Sequence, residues 1–129
     1  MKVINHNDLD AERVVSFHAG VSKRIILKRD GMGFGLTRTT IQPEAGKVFQ
    51  HYKNHQEACY CERGLAIITC AKTGIEQWVR QGDTYILAHN EPHYFQAMEE
   101  TVLICAWNPP LVGTEIHRAD GSYSTDGSN

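Results

Sequence analysis

The side chains best suited to metal chemistry crowd into residues 51–61, which read His-Tyr-Lys-Asn-His-Gln-Glu-Ala-Cys-Tyr-Cys. His51, His55 and Glu57 fall within seven residues of one another. Side chains of an extended chain alternate between its two faces, so this spacing predicts that the three point one way and Tyr52 the other. Such a row inside a barrel can hold a metal ion, provided that the rest of the chain builds the barrel.

Two more residues complete a candidate metal set with Glu57. Tyr85 follows a Gly-Asp-Thr turn, and His93 follows a Glu-Pro turn. Neighbouring strands of a small barrel can bring such side chains to one mouth, where they can bind Fe(II) or Zn(II) and leave coordination positions open. Burying Glu57 unpaired in an apolar strand is costly, which favours a ligand. Taken singly, Tyr85 is also typical of a core tyrosine and His93 of a surface histidine.

Composition is that of an ordinary single-domain protein. The chain has 129 residues, of which 41% are hydrophobic and 22% charged, with a formal charge of −2 and a pI near 6.4. This balance gives no sign of a nucleic-acid or anionic-membrane partner. No apolar run approaches the roughly 20 residues of a membrane span, and the N-terminus lacks the apolar core of a signal peptide. We therefore expect a cytoplasmic protein.

Four cysteines, Cys59, Cys61, Cys70 and Cys105, are expected to be free thiols in a reducing compartment. Cys59 and Cys61 form a Cys-x-Cys pair that can bind a soft metal, but two buried thiols on one face of a strand is the favoured interpretation. A tetrahedral zinc site needs two further close ligands, and no Cys-x-x-Cys or histidine pair is spaced to supply them.

Many short apolar or alternating runs, separated by turns, predict strands throughout the chain. The predicted strands span residues 3–6, 25–27, 36–42, 48–53, 56–62, 65–70, 75–79, 84–88, 93–97 and 102–107. Strands at roughly 8–12-residue intervals favour an all-β fold, an antiparallel sandwich or barrel. One short N-terminal helix is predicted over residues 9–14, because Asn7 or Asp8 can cap it.

The predicted domain organisation is simple. Residues 1–123 are expected to form one domain whose core runs from about 25 to 108. Pro109 and Pro110 end the sheet, because proline cannot donate to a ladder. Residues 108–123 are a candidate lid, and residues 124–129, rich in Gly and Ser, are expected to be a disordered tail.

The spacing of the glycines, histidines and glutamate resembles the two motifs of the cupins, small antiparallel β-barrels of the jelly-roll type. The first motif is matched by Gly46, His51, Glu57 and Gly64, with Lys53 in place of the usual second histidine. The second motif is matched by Gly82 and His93, with Ala88 and Asn90 where proline and glycine usually stand.

Within the cupins, the chain resembles the ectoine synthases. The matching residues are Lys28, Asp30-Gly-Met-Gly-Phe34, Thr39-Thr40, His51-Tyr-Lys-Asn-His55, Glu57-Ala58, Gly82, Tyr85, His93-Tyr94, Asn108-Pro-Pro-Leu111, Gly113, Glu115, His117, Asp120-Gly121 and Tyr123. The pattern Asn-Pro-Pro-Leu-x-Gly-x-Glu-x-His, which begins at Asn108, is highly specific to that family.

This resemblance implies a cytoplasmic homodimer that closes N-γ-acetyl-L-2,4-diaminobutyrate, a small zwitterion, into the compatible solute ectoine with loss of water. It implies a metal, Fe2+ or otherwise Zn2+ or another divalent ion, held by Glu57, Tyr85 and His93. It also implies a substrate pocket formed by Thr40, Tyr52, Cys105, Trp107, Glu115 and His117. Of these, Glu115, His117 and Tyr52 are the expected catalytic residues.

Chemistry explains why such groups are needed. Amides are poor electrophiles, so a Lewis acid on the carbonyl oxygen helps the attack of an amine. Glu115 or His117 can take the proton that the attacking ammonium must lose. Tyr52 and Trp107 can fold the flexible substrate towards its ring. Tyr52 and Glu57 have opposite parity in one strand, so both can point inward only if the chain bends at residues 54–55.

Three alternatives remain open on the sequence. The first is a related cupin acting on another amide, perhaps glutamine-like, because Arg38 stands where a small residue is usual and residues 18–24 lack an expected aromatic. The second is an iron dioxygenase that uses His51, Glu57 and His93 as a triad of two histidines and one carboxylate. The third is a cupin that binds a solute without catalysis.

Overall fold

In the computed structural model, which describes residues 1–127, ten antiparallel strands form two sheets. The strands are β1 (Val14–Phe17), β2 (Gly20–Ile26), β3 (Gly35–Ile41), β4 (Val48–Gln50), β5 (Gln56–Arg63), β6 (Leu65–Cys70), β7 (Glu76–Arg80), β8 (Thr84–Leu87), β9 (His93–Ala97) and β10 (Thr101–Asn108). Three short 3₁₀ turns lie at Ala11–Arg13, Lys28–Asp30 and Pro43–Ala45. The all-β prediction is confirmed.

The two sheets differ in size and enclose the core between them. The larger has the order β1-β2-β3-β10-β5-β8, and the smaller has the order β4-β9-β6-β7. Inward residues of both, such as Cys59, Phe95 and Leu103, are almost fully buried in one cluster. Because side chains alternate along each strand, the residues between them face outward, and this alternation decides which side chains reach the interior.

The N-terminal region differs from the prediction. Residues 3–6 form no strand, and the predicted helix over residues 9–14 is only the 3₁₀ turn Ala11–Arg13, followed directly by β1. Val14 and Val15 are β-branched and therefore favour extended backbone. Pairing of β1 with β2 completes the larger sheet at that edge.

The turn between β4 and β5 is the feature that positions the interior side chains. The predicted strand over residues 48–53 ends at Gln50, and β5 begins only at Gln56. Asn90 fixes the intervening bend, because its side-chain amide donates to the carbonyls of Tyr52 at 2.7 Å and His55 at 3.2 Å. Asn90 itself has φ +58°, a left-handed conformation that asparagine tolerates better than most residues. It can therefore stand where the cupin motif usually has glycine.

Residues 108–123, the lid segment, continue from the end of β10 and contact the barrel. Leu111 is buried, and its carbonyl accepts a hydrogen bond from the backbone N–H of Lys28 at 2.8 Å. Further along, the carbonyl of Gly121 accepts from the backbone N–H of His51 at 2.9 Å. A side chain at Gly121 would collide with this backbone, and its φ of +82° also requires glycine. The segment is therefore fastened at both ends.

The residues after the lid segment also contact the body of the protein. Ser124 is buried, and the carbonyl of Gly127 accepts a hydrogen bond from the Thr114 hydroxyl at 2.9 Å. Residues 128–129, the end of the predicted tail, lie outside the described residues. The division into core, lid and tail stays a prediction. Within residues 1–127 no helix is both long enough and apolar enough to cross a membrane.

Candidate active site

A small buried cavity of about 30 Å3 lies between the two sheets and beneath the lid segment. Its lining comes from both sheets and from the lid segment: Phe17, Ser22, Thr39, Ile41, Gln50, Tyr52, Glu57, Tyr85, Leu103, Cys105, Trp107, His117 and Tyr123. Six predicted site residues are among them, namely Tyr52, Glu57, Tyr85, Cys105, Trp107 and His117. The fold therefore brings to one cavity predicted site residues that are up to 65 positions apart in the chain.

The bend at residues 51–55 breaks the predicted row of metal-binding side chains. Glu57 and His55 are buried, but Lys53 is exposed and His51 is only half-buried. Tyr52, predicted by simple alternation to point away from Glu57, instead turns inward and is 3% exposed. Tyr52 and Glu57 therefore line the same cavity, as the predicted bend requires.

Glu57 is a carboxyl group surrounded by apolar and weakly polar neighbours. Burial raises its pKa from 4.5 to about 7, and hydrogen bonds to the thiols of Cys59 and Cys105 limit that rise. Burial also raises the pKa of the Tyr85 phenol well above its usual value. Burial thus makes the charged form of each group less favourable, and a bound cation would offset that free-energy cost.

His93, the third predicted metal ligand, sits at the start of β9. Its Nδ1 lies 2.9 Å from the carbonyl of Glu91, and its Nε2 lies 3.0 Å from Oε1 of Gln50. The contact with the carbonyl fixes Nδ1 as the protonated nitrogen, since a carbonyl only accepts. The unprotonated Nε2 can only accept, so it bonds Gln50, which lines the cavity, when the side-chain amide is turned with its NH2 group towards the ring. A metal at this position would take Nε2 in exchange for that contact.

His117 reaches the cavity from the lid segment. Its Nε2 lies 2.7 Å from the hydroxyl of Tyr52, and its ring stacks on that of Tyr123 with centroids 4.7 Å apart. Burial, followed by the nearby positive charge of His18 and Arg24, lowers the pKa of His117 to about 4. The imidazole is therefore neutral near pH 7 and can accept a proton.

Three rings in contact with one another, those of Tyr52, Trp107 and Tyr123, form an aromatic box that lines the cavity. The ring of Tyr52 meets that of Trp107 edge-on at 4.9 Å, and Trp107 lies 5.5 Å from the ring of Tyr123. The indole N–H of Trp107 donates to the hydroxyl of Thr37 at 3.1 Å. This bond orients the indole, so its face rather than its polar edge is presented to the cavity.

Glu115 lies outside the cavity lining, and its place in the pocket stays a prediction. Its carboxylate accepts two backbone hydrogen bonds, from Val112 at 2.6 Å and Gly113 at 2.7 Å. The carboxylate also lies 3.5 Å from the guanidinium of Arg24. The side chain of Glu115 is 0% exposed and that of Arg24 is 2% exposed. With its oxygens bonded in this way, Glu115 holds the lid segment in shape instead of facing the cavity.

Thr40 is likewise absent from the cavity lining, whereas the adjacent residue Thr39 is part of it. Thr40 pairs with Val102 and Val21 across the sheet, and alternation turns its side chain to the outer face. Arg38 shares that outer face and bonds Glu62 at 2.9 Å. The guanidinium of Arg38 therefore does not change the charge of the pocket.

Two functional candidates escaped the sequence reasoning. Arg24 is buried and donates to the carbonyls of Gly113 at 2.8 Å and Glu115 at 2.6 Å. Tyr123 lines the cavity. Arg24 faces inward by regular alternation with Ser22, opposite the buried Thr37. An arginine in a strand gives no signal of burial, but Tyr123 belongs to the matched tail pattern.

A two-sheet antiparallel barrel, with a carboxylate, a phenol and an imidazole on one cavity between the sheets, is the fold of a cupin. Its sequence matches the model of the family described as ectoine synthase over residues 1–127. The L-ectoine synthase of Bordetella petrii is 42% identical over 105 residues, which cover 81% of this chain and 78% of that protein. The L-ectoine synthase of Alkalilimnicola ehrlichii is 38% identical over 125 residues, which cover 95% of this chain and 94% of that protein. The chain belongs to the ectoine synthase family.

The solved structures agree with this assignment. The crystal structure of ectoine synthase from P. lautus superposes with a TM-score of 0.84 at 34% identity, and covers 94% of this chain and 87% of that one. The similarity therefore extends over the barrel and most of the remaining chain. The predictions of fold and family are both confirmed.

Proposed function

We propose that this protein is a hydro-lyase that closes N-γ-acetyl-L-2,4-diaminobutyrate into ectoine and releases water. The observation that carries the proposal is the pair formed by Tyr52 and His117 on the cavity that the buried Glu57 also lines, in a chain that matches the ectoine synthase family along residues 1–127. The pair supplies proton transfer, and the closed barrel supplies the dry surroundings that a dehydration needs.

The neutral imidazole of His117 takes the first step. The α-ammonium of the substrate loses a proton to Nε2, and the free amine then attacks the carbonyl carbon of the acetamide in the same molecule. The new C–N bond closes the six-membered ring, and the former carbonyl oxygen takes one proton from the attacking nitrogen and a second from the His117–Tyr52 pair. It then leaves as water, and the C–O bond breaks as the C=N double bond of the ring forms. The hydroxyl of Tyr52, 2.7 Å from Nε2, keeps the imidazole aimed at the cavity.

The aromatic box supplies orientation. Tyr52, Trp107 and Tyr123 surround the cavity with ring faces and edges at 4.9–5.5 Å from one another. A flexible chain held between such surfaces loses its extended conformations, which brings amine and carbonyl together before reaction. Cationic groups also bind favourably to aromatic faces, so the box suits the ammonium of the substrate.

We propose that Glu57, Tyr85 and His93 hold a divalent metal, Fe2+ by the family's pattern. Two of the three donors fit, because Glu57 and Tyr85 are buried on the same cavity and a cation would stabilise their charged forms. His93 lies outside the lining of that cavity and joins the set by the family's pattern. When bound, the ion would polarise the amide carbonyl. The carbonyl of Glu91 would orient His93 from behind, as hydrogen-bonded neighbours of metal ligands commonly do.

Substrate entry requires the lid segment to move. A cavity of about 30 Å3 has room for about two water molecules at most, far less than the substrate needs. Because His117 and Tyr123 both belong to the lid segment, its opening enlarges the cavity and its closing completes the site. Glu115 and Arg24 form the latch that holds the closed state.

A homodimer in the cytoplasm, serving osmotic stress, is the cellular setting that the family membership supports. Ile86 and Phe34 are exposed on the outer face of the larger sheet, beside Ala58 and Ala106. An apolar patch of this kind favours association with a second copy. Sedimentation velocity of the purified protein tests the dimer.

The decisive assay follows the reaction by NMR. Iron-loaded protein is incubated with N-γ-acetyl-L-2,4-diaminobutyrate, and we expect the ectoine ring to form. Tyr52→Phe and His117→Ala should each slow ring formation. The same assay with glutamine, whose α-amine is free, tests the alternative of a glutamine-like amide substrate, which would be favoured if only that compound turned over.

A further inference from the structure

Cys59 and Cys105 lie side by side in the middle of the barrel. They are directly opposite each other in the pairing of β5 with β10, and their sulfur atoms are 3.0 Å apart. Both are almost fully buried. The proposed reaction gives no role to Cys59 and only a lining role to Cys105.

Glu57 completes a compact cluster with these two thiols. It lies two residues before Cys59 on the same strand, so both side chains point to the same face. The ligand atoms of Glu57, Cys59 and Cys105 all lie within 4.8 Å of one another. One ion placed among them can reach all three ligand atoms once the two sulfurs, 3.0 Å apart, move further from each other to take up tetrahedral positions.

Electrostatic surroundings favour a cation there. None of the described residues that line the cavity is a lysine or an arginine, so the carboxylate and the thiols have no fixed positive neighbour in the cavity wall. A buried anion without such a partner is costly. A divalent ion would supply the missing charge and would bond directly to sulfur and oxygen.

We propose that Glu57, Cys59 and Cys105 form a binding site for a soft divalent cation, of which Zn2+ is the fitting example. Thiolates are the ligands that zinc prefers over harder ions. Binding would displace two thiol protons, and the resulting two thiolates and one carboxylate would surround the doubly charged ion. Tyr85, opposite Cys59 in the pairing of β5 with β8, is the neighbour nearest to a fourth position.

This site shares Glu57 with the metal centre proposed above, and to that extent it rests on the proposed function. Two ions cannot both use the Glu57 carboxylate in the same way, so Zn2+ on the thiols would compete with Fe2+ on Tyr85 and His93. The sequence favours Cys59 and Cys61 as two buried thiols on one face of a strand, and both are buried free thiols. Folding adds a contact that the sequence did not indicate, between Cys59 and Cys105, 46 positions away.

Cys61 provides a matched control. It lies on the same strand and the same face as Cys59 and is equally buried. Its sulfur contacts the carbonyl of Arg63 at 3.4 Å and lies outside the cluster. Cys59→Val and Cys61→Val therefore remove one buried thiol each at the same local cost in packing, and only the first removes a proposed ligand.

The test uses Co2+ and Zn2+ as probes on the full chain. Co2+ should give the ultraviolet charge-transfer band of a metal–thiolate bond in the wild type and in C61V, and C59V should lose that band. In competition with a chelating dye, C59V should bind Zn2+ at least about tenfold more weakly than C61V. A full band in C59V, or Co2+ bound to the wild type without one, would overturn the site.

X-ray absorption of the zinc-loaded wild type decides the matter without any variant. Two sulfur neighbours at about 2.3 Å support the proposal, and a shell of nitrogen and oxygen alone at about 2.0–2.2 Å overturns it. The NMR assay on a separate, iron-loaded preparation of the wild type distinguishes the two claims. Ectoine from the iron-loaded protein, with no metal–sulfur bonds in the zinc-loaded protein, refutes the zinc site and leaves the proposed function. Metal–sulfur bonds in the zinc-loaded protein, with no ectoine from the iron-loaded protein, do the reverse.

Discussion

Replacement of Arg24 by methionine tests how the lid segment is held. The long apolar stem is kept, but the guanidinium loses its bonds to the carbonyls of Gly113 at 2.8 Å and Glu115 at 2.6 Å. It also leaves the Glu115 carboxylate, 3.5 Å away, buried without a cation. We expect the closed lid segment to open far more often in R24M than in the wild type.

The magnitude follows from burial. Breaking a buried ion pair by removing one partner typically costs about 3–5 kcal/mol, and 3 kcal/mol corresponds to roughly a hundredfold change in an opening equilibrium. In R24M the Glu115 carboxylate keeps its hydrogen bonds from the backbone N–H groups of Val112 and Gly113, so we expect a free-energy cost near the lower end of this range. The opening of the lid segment should therefore become about a hundredfold more frequent.

Hydrogen exchange measures this directly. The amide protons of Val112 and Gly113, which donate to Glu115, should exchange about a hundredfold faster in R24M, while those in the middle of β5 should change much less. Arg63→Met is the control, because its ion pair with Glu100 is exposed and should contribute less than about 1 kcal/mol. Unchanged exchange at Val112 and Gly113 in R24M would refute the latch.

Three further predictions concern the cavity. Burial raises the pKa of Glu57 from 4.5 to about 7, so the native metal-free protein holds a proton that the unfolded chain loses, and its contribution to stability falls as the pH rises through this interval. Urea unfolding should show the wild type losing stability relative to E57Q between about pH 4.5 and 7, and a constant difference would contradict the assignment. Tyr52→Phe, which removes the partner of His117 at 2.7 Å, should destabilise by about 1 kcal/mol and lower kcat more than it changes KM; an unchanged kcat would remove Tyr52 from the proton path. Thr39→Val should alter substrate binding and Thr40→Val should not, whereas the opposite result in KM measurements would restore the predicted role of Thr40.

Hydrophobic alternation and the spacing of the cupin motifs were sufficient to predict most strands and the inward place of Glu57. Both are local patterns, since a strand of period two needs only its own sequence to be recognised. The bend that turns Tyr52 inward was foreseen from its parity with Glu57. Its cause was not, because the stabilising donor, Asn90, lies 38 positions away from Tyr52.

What the sequence could not predict depends on contacts between distant segments. Thr39 and Thr40 are adjacent, and only the register with neighbouring strands decides which one faces the cavity. Glu115 was expected to be catalytic. In the structure its carboxylate oxygens accept hydrogen bonds from two backbone N–H groups and lie beside the guanidinium of Arg24. Arg24 gave no sign of burial, because its acceptors lie 89 and 91 positions further along the chain.

The central claim is that His117, paired with Tyr52, carries the proton transfer that closes the substrate ring. The most direct measurement is the NMR assay of ectoine formation by iron-loaded wild type and H117A at equal metal content. Proton transfer by a positioned side chain contributes roughly 10²–10⁴-fold, so the account predicts ring formation by the wild type and a loss of at least about a hundredfold in H117A. Equal rates in the two proteins, or no ectoine from the metal-loaded wild type, would contradict it.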